Sequence, residues 1–281
     1  MEQKLNLGEN YQINRVINGC WQLSEGHSIK NDLDFDDVMR AFHMLAERGF
    51  TTFDCGDIYT GVEEFLGKFV RELKHGSGLS PDQIQIHTKY VPDLDLLSQV
   101  DFAYTEKIID RSLKRLNREI LDMVQFHWWD YEVPGCIETA EYLVRLKEKG
   151  KIRNISVTNF DTRHLKELVD AGIPVTTTQT QYSVFDRRPE KGYLEYCKGQ
   201  GIPMLCYGTL SGGFLAERWI GKRMEEPETR SQVKYLQVIE DSLGWDGYQK
   251  LLKLLQGIAE KYQVGISQVA SKYILSQEGV G

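Results

Sequence analysis

The chain contains no run approaching the roughly 20 apolar residues that a membrane-spanning helix needs. Residues 1–18 are polar and mixed in charge, without the apolar core of a signal peptide. Cysteine is sparse: Cys20, Cys55, Cys136, Cys197 and Cys206 are odd in number and form no CxxC pair. That excludes a disulfide framework and a zinc ribbon, and it leads to the expectation of reduced thiols in a cytoplasmic protein. The histidines show no ligand spacing, so no metal is expected. Basic charge is in deficit, 34 Lys and Arg against 41 Asp and Glu, for a net charge of -7. Such a surface is not built to neutralise nucleic-acid phosphates, and neither nucleic acid nor membrane is expected as a partner. A glycine-rich GxGxxG phosphate loop is also missing, which argues against an open dinucleotide-binding sheet.

What is present is an ordinary globular composition, 41% hydrophobic and 27% charged over 281 residues. Strand signals at 15–21, 51–54, 83–90, 122–127, 152–158, 175–181 and 204–207 are followed in turn by helical signals. The helices are expected at 35–49, 63–73, 104–116, 137–149, 162–171 and 189–200, the last opened by Pro189. Asp34 is placed to cap the first of them and Gly49 to stop it, with Val38, Phe42 and Leu45 on one face. A polar excursion follows at 208–247, with a helix near 232–243 and two further helical segments at 248–262 and 267–276.

Short links between successive strands and helices imply parallel strands joined by right-handed crossovers. The expectation is a single α/β domain over residues 1–281, a (β/α)8 TIM barrel. It is expected to lack the eighth strand and helix, because the chain ends at Gly279-Val280-Gly281, where that strand would begin.

In such a barrel, chemistry sits at the C-terminal ends of the strands. Asp54 ends the second strand, with Tyr59 five residues on, Lys89 ends the third and His127 the fourth. A single ionisable group there is commonly a loop ion pair; four types on three consecutive strands form a set. A phenol is a poor acid at neutral pH, and an ammonium beside it favours the phenolate. A carboxylate holds the ammonium charged, and an imidazole hydrogen-bonds the reacting oxygen or helps pass the proton. The set suits proton transfer to a carbonyl oxygen. No side chain supplies a hydride, so a cofactor is required. Trp21, Trp128 and Trp129 fall at strand ends, where aromatic rings line a carbonyl pocket.

These residues carry a resemblance. Phe53-Asp54-Cys55-Gly56-Asp57-Ile58-Tyr59, with Gly61 and Glu63-Glu64, resembles the signature of the aldo-keto reductase family. Thr88-Lys89, the run from Asp122 to His127, Ile155-Ser156-Val157-Thr158-Asn159-Phe160 and the run from Tyr207 to Gly213 are similar to its later blocks. The resemblance implies a barrel reducing an aldehyde or ketone with a nicotinamide cofactor, NADPH more than NADH. It implies Tyr59 as general acid, Lys89 and Asp54 as its tuning pair, and His127 as the residue that orients the carbonyl. It implies cofactor contacts from Gly19, Cys20 and Trp21 at the first strand end. Thr158, Asn159 and Gln179 would hold the carboxamide, Tyr207 would stack on the nicotinamide ring, and Gly208, Leu210 and Gly212 would follow the pyrophosphate. The other roles open to the same barrel are a cofactor-binding partner subunit with little turnover and an inactive fragment.

Overall fold

The computed structural model describes residues 3–8, 11–29, 33–76 and 79–281. They divide into two compact units. One comprises residues 1–25 and 33–179, the other residues 26–32 and 180–281.

The first unit opens with an antiparallel hairpin that the sequence pattern did not reveal, β1 (Lys4–Asn6) against β2 (Gln12–Asn14). Asn14 then works as a backbone surrogate: its side-chain oxygen accepts the Thr51 N–H at 2.7 Å, and its amide nitrogen donates to the Gly49 carbonyl at 2.9 Å. The expected strand at 15–21 shrinks to β3 (Asn18–Gly19), and Trp21–Leu23 turns into a single 3-10 turn.

The βα units follow as read. α1 (Phe35–Glu47) leads into β4 (Thr52–Asp54), then α2 (Val62–Gly76) into β5 (Gln85–Tyr90). α3 (Phe102–Leu116) leads into β6 (Leu121–Phe126), α4 (Cys136–Glu148) into β7 (Ile152–Thr158), and α5 (Thr162–Asp170) into β8 (Val175–Gln181). Asp34 caps α1 as expected, accepting the N–H groups of Asp36 and Asp37. The buried face of α1 is Met39, Phe42 and Ala46, one residue round from the expected Val38 and Leu45. Phe42 meets Phe53 at 4.8 Å and Phe69 at 5.7 Å between centroids, so α1, α2 and β4 close on an aromatic core. Gly67 lets α2 press on α3, since a Cβ there would run into the Arg115 carbonyl oxygen. All six residues of β6 are buried, as a parallel strand covered on both faces requires.

From β3 to β8, strand order is chain order and each successive pair is parallel. β8 runs out of the first unit into the second. There a 3-10 turn at Arg188–Glu190 replaces the start of the helix expected at 189–200, and α6 begins only at Tyr193 (Tyr193–Gly199). The break falls at Gly192, whose φ of +97° lies outside helical geometry. β9 (Met204–Tyr207) has the expected bounds. Val280 makes a parallel bridge to Met204, flanked by Met204 N–H to Gly279 O and Gly281 N–H to Met204 O, both 2.9 Å.

The excursion at 208–247 is less polar than its composition implied. With α7 (Arg230–Ser242), α8 (Gly244–Tyr262) and α9 (Ile266–Leu275) it builds its own core. Phe214, Leu215, Tyr235, Ile239, Tyr248 and Leu252 are buried in it. Among the described residues no helix is long and apolar enough to cross a membrane.

Candidate active site

Parallel pairing brings the polar strand ends of the first unit together. Gly19 pairs with Asp54, Asp54 with His87 and Lys89 with Gln125 in the ladder. Side chains alternate along each strand, so the inward set recurs every second residue. The Lys89 ammonium donates to Asp54 Oδ1 at 2.6 Å and to the Cys55 carbonyl at 2.7 Å. It stands 5.0 Å from the centroid of the Tyr59 ring. The other oxygen of Asp54 accepts from the amides of Gln125 at 2.5 Å and Gln179 at 2.8 Å. Asp54 therefore faces three donors at a side-chain exposure of only 13%.

Those contacts set the charges. Burial works against the Lys89 ammonium, but Asp54, with Tyr59 and Cys55 adding to it, outweighs burial and the pKa is raised. Burial likewise raises Tyr59 above its ordinary value; Lys89 pulls it down and Asp54 pushes it up. The sequence expectation that Lys89 would leave Tyr59 lowered is corrected on this point, because desolvation of the phenolate is the larger effect. Gly56 packs against both partners: a Cβ there would sit 3.4 Å from Tyr59 and from the Lys89 stem, ordinary contact.

His127 is placed separately. Among the described residues no hydrogen bond joins it to Asp54, Tyr59 or Lys89. Its Nδ1 donates to the Thr158 carbonyl at 3.1 Å. A carbonyl only accepts, so Nδ1 carries the proton. Burial lowers the pKa of His127, with the Thr158 bond opposing. At neutral pH the ring is uncharged and Nε2 presents a lone pair. The edge of Trp129 lies against it at 4.6 Å.

The three tryptophans part company. Trp129 is 46% exposed and anchored through Nε1 to the Pro92 carbonyl at 2.8 Å. Trp21 is half-buried in its 3-10 turn. Trp128 is 1% exposed, bonded to the Val133 carbonyl, and its ring packs on Phe126. Its expected place in a pocket wall is therefore corrected to core packing. Cys20 is wholly buried, so its thiol also presents nothing to a ligand, whereas Gly19 is exposed.

For a nicotinamide cofactor the donor set is suitable. Thr158 faces Gln179 across the ladder, and its hydroxyl lies 3.4 Å from the Gln179 carbonyl oxygen. Asn159 holds a left-handed φ of +60°, a conformation asparagine tolerates better than most residues. Gln179 is less available than expected, since its nitrogen serves Asp54. In the second unit Gly208 and Gly212 have φ of +70° and +64°, and a Cβ on either would strike the Tyr235 ring. The loop carrying Leu210 is thus pressed onto α7. The Lys234 ammonium lies 4.7 Å from the Tyr207 ring centroid.

Sequence reasoning gave Gln125 no role, although it binds Asp54. The available signal was a lone polar side chain two residues before His127, on the same strand face. It also passed over Asp57 and Glu63, buried carboxyl groups flanking Tyr59.

Comparison with known proteins bears on the family and the fold. The model of the Aldo/keto reductase family matches residues 15–281. Aldo-keto reductase YhdN of Bacillus subtilis (strain 168) is 31% identical over 220 residues, 76% of this chain; the chain spans 62% of that relative's length. The glycerol dehydrogenase AKR11B4 of Gluconobacter oxydans superposes with a TM-score of 0.80 at 24% identity, over 99% of this chain and 84% of that one. An aldo/keto reductase of Klebsiella pneumoniae, solved in complex with NADP and acetate, gives 0.73 at 21% identity, over 100% and 83%. The (β/α) barrel fold is common to these structures and to this chain, and the chain belongs to the aldo/keto reductase family.

Proposed function

We propose that this chain reduces an aldehyde or ketone to the alcohol, with Tyr59 giving the proton to the carbonyl oxygen and NADPH preferred over NADH. The observation that supports it is the Asp54–Lys89–Tyr59 linkage: an ammonium held 2.6 Å from a carboxylate and 5.0 Å from a phenol ring. A nicotinamide dinucleotide, when bound, would supply the hydride. Thr158, Asn159 and Gln179 would hold its carboxamide, Tyr207 would meet the flat ring, and Gly208, Leu210 and Gly212 would follow the pyrophosphate.

Tyr59 is protonated at neutral pH, as any ordinary phenol is, and burial raises its pKa further. That is the state a proton donor needs. As negative charge develops on the substrate oxygen, the proton moves from Tyr59 to it and phenolate appears beside Lys89. The ammonium is already charged and fixed, so it stabilises the phenolate without reorganising. Asp54 keeps it fixed, and Gln125 and Gln179 keep Asp54 fixed. His127 orients the reacting oxygen from Nε2. With its proton on Nδ1, its Nε2 accepts a hydrogen bond from the hydroxyl of the product alcohol. It does not donate to the carbonyl.

The test is turnover of 4-nitrobenzaldehyde with NADPH and with NADH, followed by the dihydronicotinamide absorbance and by the alcohol formed. One alcohol per cofactor oxidised, faster with NADPH, is the expected result. Cofactor binding without alcohol would sink the proposal and favour the partner-subunit reading.

A further inference from the structure

The segment that presents Tyr59 is gripped from α3. Arg115 Nη1 lies 3.3 Å from the Asp57 carbonyl oxygen and 3.4 Å from Glu63 Oε2, while Nε lies 2.9 Å from Glu64 Oε1. The Thr88 hydroxyl holds the other oxygen of Glu63 at 2.7 Å. Tyr59 sits in the short stretch between these two grips. Its own N–H bonds back to Gly56 O, and the Val62 N–H bonds to Tyr59 O, both at 3.0 Å.

Behind this clasp is a carboxyl group with poor provision. Asp57 is 5% exposed; the backbone N–H groups of Val91 and Ile58 face its carboxylate, but neither oxygen completes a hydrogen bond of normal geometry among the described residues. Arg111 Nη2 stands 3.6 Å from Oδ2. The groups facing it are Glu63 on α2, Arg111 on α3, Tyr90 on β5 and Tyr104 on α3, with Arg115 bound to its backbone. Glu63 is 1% exposed. Arg115 thus serves Glu63, Glu64 and the loop carbonyl, while the guanidinium beside the Asp57 carboxyl group is Arg111.

We propose that Asp57 is a positioning residue for Tyr59: neutral, it leaves Glu63 and Arg115 clasped on the loop; ionised, it draws on Arg111, repels Glu63 and loosens the segment. The inference rests on the reading of Tyr59 as proton donor.

Burial first, then Glu63, pushes Asp57 up to about 8, with Arg111 opposing. The other groups around the site titrate elsewhere. Tyr59, Lys89, Cys20 and Cys55 are raised from their ordinary values, while His127 and His87 are lowered.

The test uses two readouts on the full chain between pH 6.5 and 9.5. Amide exchange of the 56–64 segment, corrected for the intrinsic base-catalysed rate, is expected to quicken at least fivefold across a midpoint near pH 8. The kcat should fall along the same one-proton curve, with KM changing less. Asp57→Asn mimics the neutral acid and should flatten both curves. Glu63→Gln removes the repelling neighbour and should move the midpoint to lower pH, which guards against misfolding of the first variant. A flat wild-type exchange profile, or the same transition persisting in Asp57→Asn, would overturn the proposal. If the exchange behaves as expected while Tyr59→Phe keeps full turnover, the clasp stands and the reading of Tyr59 falls.

Discussion

The polar strand ends of the first unit and the glycine-rich loop of the second are held by opposite means. Around Asp54 every group is fixed by charge and hydrogen bonds: Lys89, Gln125 and Gln179 all converge on one carboxylate. Around Gly208 and Gly212 the backbone is fixed by shape, pressed onto the ring of Tyr235 at left-handed φ values. The difference teaches where each region is fragile. A charge network fails when one partner is removed and the others are left buried and unpaired. A steric fit fails when an atom is added.

The largest effect is expected on the charge side. Lys89→Met leaves Asp54 without its cation and Tyr59 without the ammonium. We expect kcat to fall about 10³-fold, within the range for loss of positioned acid–base machinery. Stability should fall by roughly 3 kcal/mol, as for other broken buried pairs. Chemical denaturation and steady-state kinetics on the same sample would measure both. An equal rate would mean that the network is structural only. A smaller effect is expected on the steric side. Gly208→Ala adds one methyl at φ +70° against Tyr235. It should cost about 1–3 kcal/mol and weaken cofactor binding while leaving the Tyr59 chemistry per bound cofactor intact. Titration of cofactor fluorescence checks the first and single-turnover rate the second. If Gly208→Ala and Lys89→Met impaired the same step, the contrast between the two regions would be lost.

How far the sequence could be read follows the same division. Elements defined by local chemistry were legible. β7, β8 and β9 have the expected bounds, and the Asp34 cap starts α1 at Phe35. Elements defined by distant partners were not. The β1–β2 hairpin is too short to carry a period. The helix expected from Pro189 breaks because Gly192 leaves helical geometry. The core around Phe214 and Tyr248 was hidden in a stretch whose composition is mostly polar.

In the site, Asp54, Lys89 and Tyr59 were legible as a set because strand ends converge in a parallel sheet, and the structure joins them. The sign of the Tyr59 shift was not, since it depends on desolvation, which no spacing encodes. The tautomer of His127 was hidden for a similar reason: it is set by the carbonyl of Thr158, 31 residues away. Trp128 and Trp129, adjacent in the chain, meet opposite fates because one ring turns into the core and the other stays at the surface.

The most direct measurement is the single-turnover rate of Tyr59→Phe with NADPH and 4-nitrobenzaldehyde, beside its cofactor dissociation constant. Removing one hydroxyl should slow reduction by about 10²-fold or more with cofactor affinity unchanged. A Tyr59→Phe rate within a few fold of wild type would contradict the assignment of Tyr59 as the proton source.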